Sequence, residues 1–250
     1  MIYQSENEKI KRIQKPSKEQ SYINVIELSE LSQVLPECKM TVKDIKDCKE
    51  MKYTKVEIYP EYICGTINMP NKSDLNESSS NFAFYIDKQK IIFIGKTAAE
   101  YKIIREFLRN DASCKSGVQH FIYRFLYSLI VNDYEVAEEL EREINEIEES
   151  VLEKHSENLN EDLLNARKKL LYFHNFYERM LNISEMLADN DYKIFTFETV
   201  ISLNHFSQYL NRLDGTIHTL LDYSLQVQQI YQAEIDIKQN KIMKVLTSVT

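Results

Sequence analysis

The sequence predicts an α+β chain: a mixed α/β N-terminal domain with a small sheet and helices, followed by a long helical hairpin and a very long C-terminal helix. Three observations predict it. Runs of alternating β-branched and aromatic residues occur only before Lys96. All four prolines precede Asn71, so the remainder is free to run in long helices. Beyond Ser116, apolar residues recur at steps of three and four almost to the end. The boundaries that follow are 1–115 for the α/β domain, 116–192 for an acidic helical hairpin packed on it, and 193–250 for a long stalk helix.

The elements follow in order. MIYQS and KIKRIQK read as short strands around the polar turn ENE, and SYINVIEL reads as a third. LSELSQVLPE and TVKDIKDCKEM have helical spacing and polar starts. KVEIYPEYICGTINMP reads as two strands interrupted by turn residues, and NKSDLNESSSN as a small polar loop. FAFYID and KIIFIG flank a tight turn, which makes a hairpin. TAAE, from Thr97, is a capping-box helix start. From Asp133 to Glu157 there are eleven acids and two bases, above a heptad stripe of Ala137, Leu140, Ile144, Ile147 and Val151. A charge run of this kind ordinarily marks a solvated helix face. Asn158 and Asn160 mark a reversal. The next helix carries Leu159, Leu163, Ala166, Leu170, Phe173, Tyr177, Met180 and Leu187, so the two fold back as a hairpin. ADNDY at 188–192 is a second turn. From Phe195 to Thr250 the strongest breaker is Gly215, and a helix of that length reaches about 80 Å.

Composition narrows the function. With 43% hydrophobic and 28% charged residues the chain has the make-up of a folded protein. A net charge of −8 argues against nucleic acid, whose phosphates need clustered Lys and Arg, and suits attraction of cations. Cys38, Cys48, Cys64 and Cys114 form no C-x-x-C pair and have no histidine at zinc-ligand spacing, so they read as reduced cytosolic thiols. No signal-peptide pattern opens the chain, so the N-x-S matches at Asn71, Asn76 and Asn182 carry no meaning in that compartment. An enzyme is not expected. Gly95-Lys96-Thr97 lies between a strand and a helix, but a phosphate-binding loop needs a glycine where Lys90 stands, so no nucleotide is expected. His120, His155, His174, His205 and His218 form no H-E-x-x-H, and no motif marks a nucleophile.

On the last helix, Asp222, Gln226, Gln229, Ala233, Asp236, Asn240, Met243 and Thr247 step by four and three and so share one face. That face is polar or small until Met243, and Leu225, Ile230, Ile235, Ile237, Ile242 and Val245 flank it. A polar seam between apolar flanks suits helices ringing a watery axis. It equally suits a surface helix whose polar side faces bulk solvent. The helix also becomes more apolar towards its end, which suggests continuation into an apolar environment.

IYQAEIDIKQNKIMKVLTSVT, at residues 230–250, resembles the segment that enters the first membrane helix in the CorA family of divalent-cation transporters. The likeness rests on N-x-x-M-K-x-L-T, here Asn240, Met243, Lys244, Leu246 and Thr247. It extends back through DGTIHTLLDYSLQVQQ to about residue 203. The rest of the chain is similar in architecture. The resemblance implies the cytoplasmic part of such a transporter at the cell membrane, cut before its first membrane helix. It also implies a homopentamer with the long helices around a funnel. Asn240 would then offer an amide oxygen to a hydrated ion near the inner mouth. Met243 and Leu246 would form apolar gating rings, and Thr247 a hydroxyl ring. Mg2+ is the implied cargo, with Co2+, Ni2+ or Zn2+ as alternatives. Asp222 and Asp236 would form rings of negative charge.

The family also binds divalent ions between protomers, pairing a stalk carboxylate with an acid of the neighbour and so closing the pore. Here the corresponding stalk position falls near His205, with no acid between Glu198 and Asp214. Either Asp214 serves instead, or His205 tilts the site towards a softer ion, or regulation by bound ions is weaker. The family's Gly-Met-Asn signature does not occur in the chain and is expected beyond Thr250. Two alternatives accompany this reading. One is a zinc-transporting relative of the ZntB type with the same architecture. The other is a soluble helical scaffold that binds partners through its heptad stripes.

Overall fold

The computed structural model describes residues 1–6, 9–16, 20–72, 79–110, 116–153 and 159–249. Among them, seven strands form one sheet: β1 (Ile2–Glu6), β2 (Lys9–Ile13), β3 (Tyr22–Glu27), β4 (Lys55–Ile58), β5 (Ile63–Met69), β6 (Ser80–Ile86) and β7 (Lys90–Gly95). Their order is β2-β1-β3-β7-β6-β5-β4. β3 and β7 pair in parallel, while the other neighbours are antiparallel. Each expected strand is present, and the FAFYID/KIIFIG hairpin pairs Ile86 with Ile91 next to its turn.

The central strands are covered on both faces, which is why β6 and β7 read as continuous apolar runs. Ala83, Tyr85, Ile92 and Ile94 face a layer containing Leu31, Cys48 and Met51. These come from α1 (Leu31–Val34) and from the end of α2 (Val42–Glu50). On strand positions of opposite parity, Phe82 and Phe93 meet Phe125 at ring-centroid distances of 5.3 and 5.0 Å. Phe125 belongs to α4 (Phe121–Ser128), and Phe107 of α3 (Ala98–Asn110) packs 5.5 Å from it. LSELSQVLPE is less regular than expected, with 3-10 turns at Leu28–Glu30 and Leu35–Glu37 on either side of α1. Pro36, in the first turn of the last segment, has no N–H to continue a helical ladder.

Two buried carboxylates fasten helix starts to the sheet. The Thr41 amide and hydroxyl donate to Asp44 at 2.9 and 2.8 Å, and the Asp44 amide donates back to Thr41 Oγ1 at 3.2 Å. The Tyr62 and Tyr59 hydroxyls also donate to Asp44, at 2.7 and 3.0 Å. Burial opposes charge on Asp44, but the Tyr62, Thr41 and Tyr59 donors outweigh it and hold the carboxyl below its ordinary 3.8. At α3 one half of the expected capping box forms, the Thr97 amide donating to Glu100 at 3.0 Å, while the Thr97 hydroxyl accepts from the Ala99 amide at 3.2 Å; Glu100 also accepts from the Asn81 amide of β6 at 3.1 Å. Gly95 allows that join, because a Cβ there would lie 2.4 Å from the Tyr101 nitrogen. The glycine of Gly95-Lys96-Thr97 thus has a packing role between β7 and α3. Cys38, Cys48 and Cys64 are free thiols. Burial pushes Cys48 up to about 12 and Cys38 up to about 11, which keeps both protonated and poor as ligands. Cys114, Asn76, His155 and Asn158 lie outside the described residues.

Three long helices follow: α5 (Asp133–Glu153), α6 (Leu159–Asp189) and α7 (Phe197–Val249). The chain divides into two compact units, Met1–Val131 with Phe176–Asn211, and Asn132–Asn175 with Arg212–Thr250. In the first unit, Ser207 donates to Ser184 Oγ and Ser184 donates to the Leu203 carbonyl, both at 2.9 Å, so a buried hydroxyl pair joins α6 to α7. α6 ends at Asn190, in the left-handed region at φ 48°, whose side chain brackets the Phe195 backbone with two 2.9 Å hydrogen bonds.

In the second unit the expected stripes are buried: Ala137, Leu140, Ile144, Ile147 and Val151 on α5, and Leu159, Leu163, Ala166, Leu170 and Phe173 on α6. Lys169 holds Glu143 through both carboxylate oxygens at 2.9 and 2.7 Å, joining α6 to α5 as the hairpin reading requires. Tyr223 donates to Asn145 at 2.8 Å, and Arg167 donates to Gln228 at 3.0 Å, so α7 is fastened to both. α7 passes through Gly215 unbroken, and a Cβ there would meet nothing within 4 Å. Its buried residues are Thr199, Leu203, Phe206, Ser207 and Leu210 in the first unit and Leu213, Ile217, Leu220, Ser224 and Val227 in the second. From Gln228 to Ser248 no side chain is buried.

Two outcomes are expected. Ile217→Ala should cost about 3 kcal/mol, while Ile242→Ala, on the same helix but exposed, should shift stability by less than about 0.5 kcal/mol. Urea denaturation of both variants checks this. Asp44→Asn should cost about 2 kcal/mol at neutral pH, because buried hydroxyl donors lose a charged acceptor. The Asp44 carboxyl is depressed in the folded state, so its stabilisation is complete above its ordinary 3.8 and is lost as pH falls through the folded value. The urea midpoints of wild type and Asp44→Asn should therefore converge across that acidic window.

Candidate functional site

The seam of α7 has a definite relation to the helix's buried side. Leu220, Ser224 and Val227 are buried, while Asp222, Gln226 and Gln229, each two residues later, are exposed. Two residues turn a helix by roughly 200°, so these are opposite faces. All eight seam positions, Asp222, Gln226, Gln229, Ala233, Asp236, Asn240, Met243 and Thr247, are exposed. The seam therefore does not lie against the chain's own core.

The apolar flanks change character along the helix. Ile230 and Ile235 are half-buried. Ile237, Ile242, Met243, Val245 and Leu246 expose 48%, 60%, 59%, 63% and 63% of their surface. Five large apolar side chains on three turns of helix form a surface that a monomer ordinarily covers. Among the described residues no helix is long and apolar enough to cross a membrane. The Thr247 hydroxyl donates to the Met243 carbonyl one turn back at 2.6 Å, and Gln232 donates to Asp236 at 3.1 Å. The first is a local contact that satisfies the hydroxyl proton.

The four residues named as metal ligands are not gathered in one place. Asp222 and Asp236 occupy the exposed seam, and His205 is exposed beside buried Phe206. Asp214 is different. His174 of α6 places Nδ1 at 2.8 Å from Asp214 Oδ1, and the His174 and His218 rings meet edge to face at 4.5 Å between centroids. One ligand atom from each of His174, Asp214 and His218 lies within 4.8 Å of the others, and all three belong to the second unit. His174 and His218 carried no motif in the sequence. The available signal was Asp214 and His218 four apart on one helix face; His174, forty residues earlier, had none.

Elsewhere the chemistry is less suited to cations. A recess of about 500 Å3 in the first unit is lined by Phe107, His120, Tyr123, Arg124 and Tyr127, with no carboxylate among the described lining residues. Burial lowers both His120 and Arg124, and His120 Nδ1 lies 3.1 Å from the Thr199 hydroxyl. On α5 the acidic face is exposed at Glu138, Glu139, Glu141, Glu146 and Glu149. Arg142 pairs there with Glu139, and burial with Glu148 beside it pushes the Tyr223 phenol up to about 12.

Comparison with known proteins places these features in a family. The fold is similar to the complete CorA magnesium transporter from Methanocaldococcus jannaschii, with a TM-score of 0.79 at 19% identity over 100% of this chain and 81% of that one. It is also similar to the full-length CmaX protein, with a TM-score of 0.76 at 12% identity over 100% and 81% of the two chains. A third likeness is to the ZntB cytoplasmic domain from Vibrio parahaemolyticus, with a TM-score of 0.74 at 11% identity over 94% and 97%. No curated protein sequence matches the chain. The family model described as CorA-like Mg2+ transporter protein matches residues 23–250, which include the sheet from β3 onward, all seven α-helices and the exposed seam; the chain belongs to that family.

Proposed function

We propose that this chain is the cytoplasmic domain of a divalent-metal transporter at the cell membrane, with Mg2+ as its cargo. The observation that carries the proposal is the exposed polar seam of α7, opposite the buried seam and bordered by uncovered apolar side chains. Copies of the helix around a common axis would cover the flanks and turn the seam inward, and a homopentamer is the assembly proposed. The fold likeness supports this reading, since the chain spans 81% of a complete CorA magnesium transporter and resembles a cytoplasmic domain nearly end to end.

In such an assembly Asp222 and Asp236 form rings that concentrate cations. Asn240 and Thr247 offer neutral oxygens suited to a hydrated Mg2+, which gives up its waters reluctantly. Met243 and Leu246 form the apolar constriction, closed by exclusion of water and opened by helix separation. Transport is driven by the membrane potential, worth about 2.3 kcal/mol per charge at 100 mV. Gating responds to cytosolic divalent ions held between protomers. Family membership favours transport over the helical scaffold reading.

Two measurements test the proposal. Full-length protein in liposomes should admit Mg2+ under an inside-negative potential, and Met243→Ser should raise the basal flux while Asn240→Ala lowers flux. Zn2+ flux without Mg2+ flux would replace the cargo with that of the alternative, and no flux of Mg2+, Co2+, Ni2+ or Zn2+ would overturn transport altogether. Sedimentation of the chain at high concentration should show pentamers that Met243→Asp with Leu246→Asp disperses. A monomer at every concentration would mean that this helix does not assemble by itself.

A further inference from the structure

We propose that His174, Asp214 and His218 form a binding site, within a single chain, for a borderline divalent ion of the Zn2+, Co2+ or Ni2+ class. The proposal goes beyond transport and stands whether or not the chain conducts ions. Its ligands come from two helices of the second unit, His174 from α6 and the other two from successive turns of α7. Asp214 and His218 are four residues apart, so α7 alone presents a carboxylate and an imidazole on one face. The helix pairing in the second unit supplies the third ligand.

The donor set decides the class of ion. Two imidazole nitrogens and one carboxylate oxygen suit Zn2+, Co2+ and Ni2+, whereas Mg2+ prefers octahedral oxygen and keeps its waters. Ligand bonds near 2.1 Å require ligand atoms within about 4 Å of one another, so the 4.8 Å envelope closes with a small side-chain rotation. The 2.8 Å contact between His174 Nδ1 and Asp214 already orients the ring and the carboxylate. The His174 and Asp214 side chains are 22% and 20% exposed, and His218 is exposed, so ions reach the site from solvent. Three protein ligands leave further positions for water, as in exchangeable rather than closed structural sites. An ion bound there joins α6 to α7 and stabilises the folded state over the unfolded one.

Co2+ titration of the purified chain tests the site directly. Visible d–d absorption should rise to saturation at one ion per chain, be abolished by Zn2+ and be unaffected by excess Mg2+. Zn2+ should also raise the melting temperature. Loss of one ligand, in His174→Ala or His218→Ala, should weaken binding by more than about a hundredfold, since even outer partners of metal ligands are worth 10–100-fold. Asp214→Asn keeps the side-chain shape and should weaken binding without altering the far-UV circular dichroism. Glu185→Gln, exposed on α6 about three turns beyond His174 and outside the cluster, should bind as wild type does. Absence of saturable absorption, or equal affinity in wild type, His218→Ala and Asp214→Asn, would overturn the proposal. An affinity lost through Glu185→Gln and kept in His218→Ala would do the same.

Discussion

The molecule depends on one unbroken helix whose opposite faces meet different surroundings. An α-helix satisfies its own backbone, so α7 can run past the end of its core without exposing unpaired main-chain groups. Its buried seam follows a heptad from Leu203 to Val227 and then stops, while the helix continues to Val249. The polar seam two positions round the helix starts while the buried seam is still present and outlasts it. Residues 220–229 therefore serve two purposes at once. Leu220, Ser224 and Val227 hold the helix to its own chain, and Asp222, Gln226 and Gln229 remain available to other partners.

Buried polar groups give the surrounding helices their positions. Asp44 ties the start of α2 to Tyr59 and Tyr62, and Glu100 ties the start of α3 to the Asn81 amide. Apolar contacts alone would tolerate a shifted helix, whereas a buried carboxylate with several donors is satisfied in one arrangement. Ser184 and Ser207 play the same part between α6 and α7. All of these groups and their partners lie within the first unit.

Charge is used differently in the second unit. The acids of α5 mostly face solvent, as expected for a charged helix face, yet Glu143 is held by Lys169 and Glu148 by Tyr223. Such half-exposed pairs add little stability individually, but they select which helices face one another. His174 and Asp214 belong with them as a cross-helix contact, and His218 adds a second imidazole beside it.

The sequence by itself determined the elements and the faces. Alternation and turn residues located the strands, and three-four spacing located the stripes of α5, α6 and α7, because these patterns depend only on local periodicity. The motif from Asn240 to Thr247 pointed to the family that the match over residues 23–250 then established. Sheet order was not legible, since the parallel pairing of β3 with β7 joins strands more than sixty residues apart. LSELSQVLPE has helical spacing, yet its division into 3-10 turns around α1 was not legible; Pro36 interrupts the ladder only at the last of them. The grouping of His174 with Asp214 and His218 was decided by tertiary structure alone. Ligands on separate helices leave no spacing in the chain, and only the packing of α6 against α7 brings their side chains within reach.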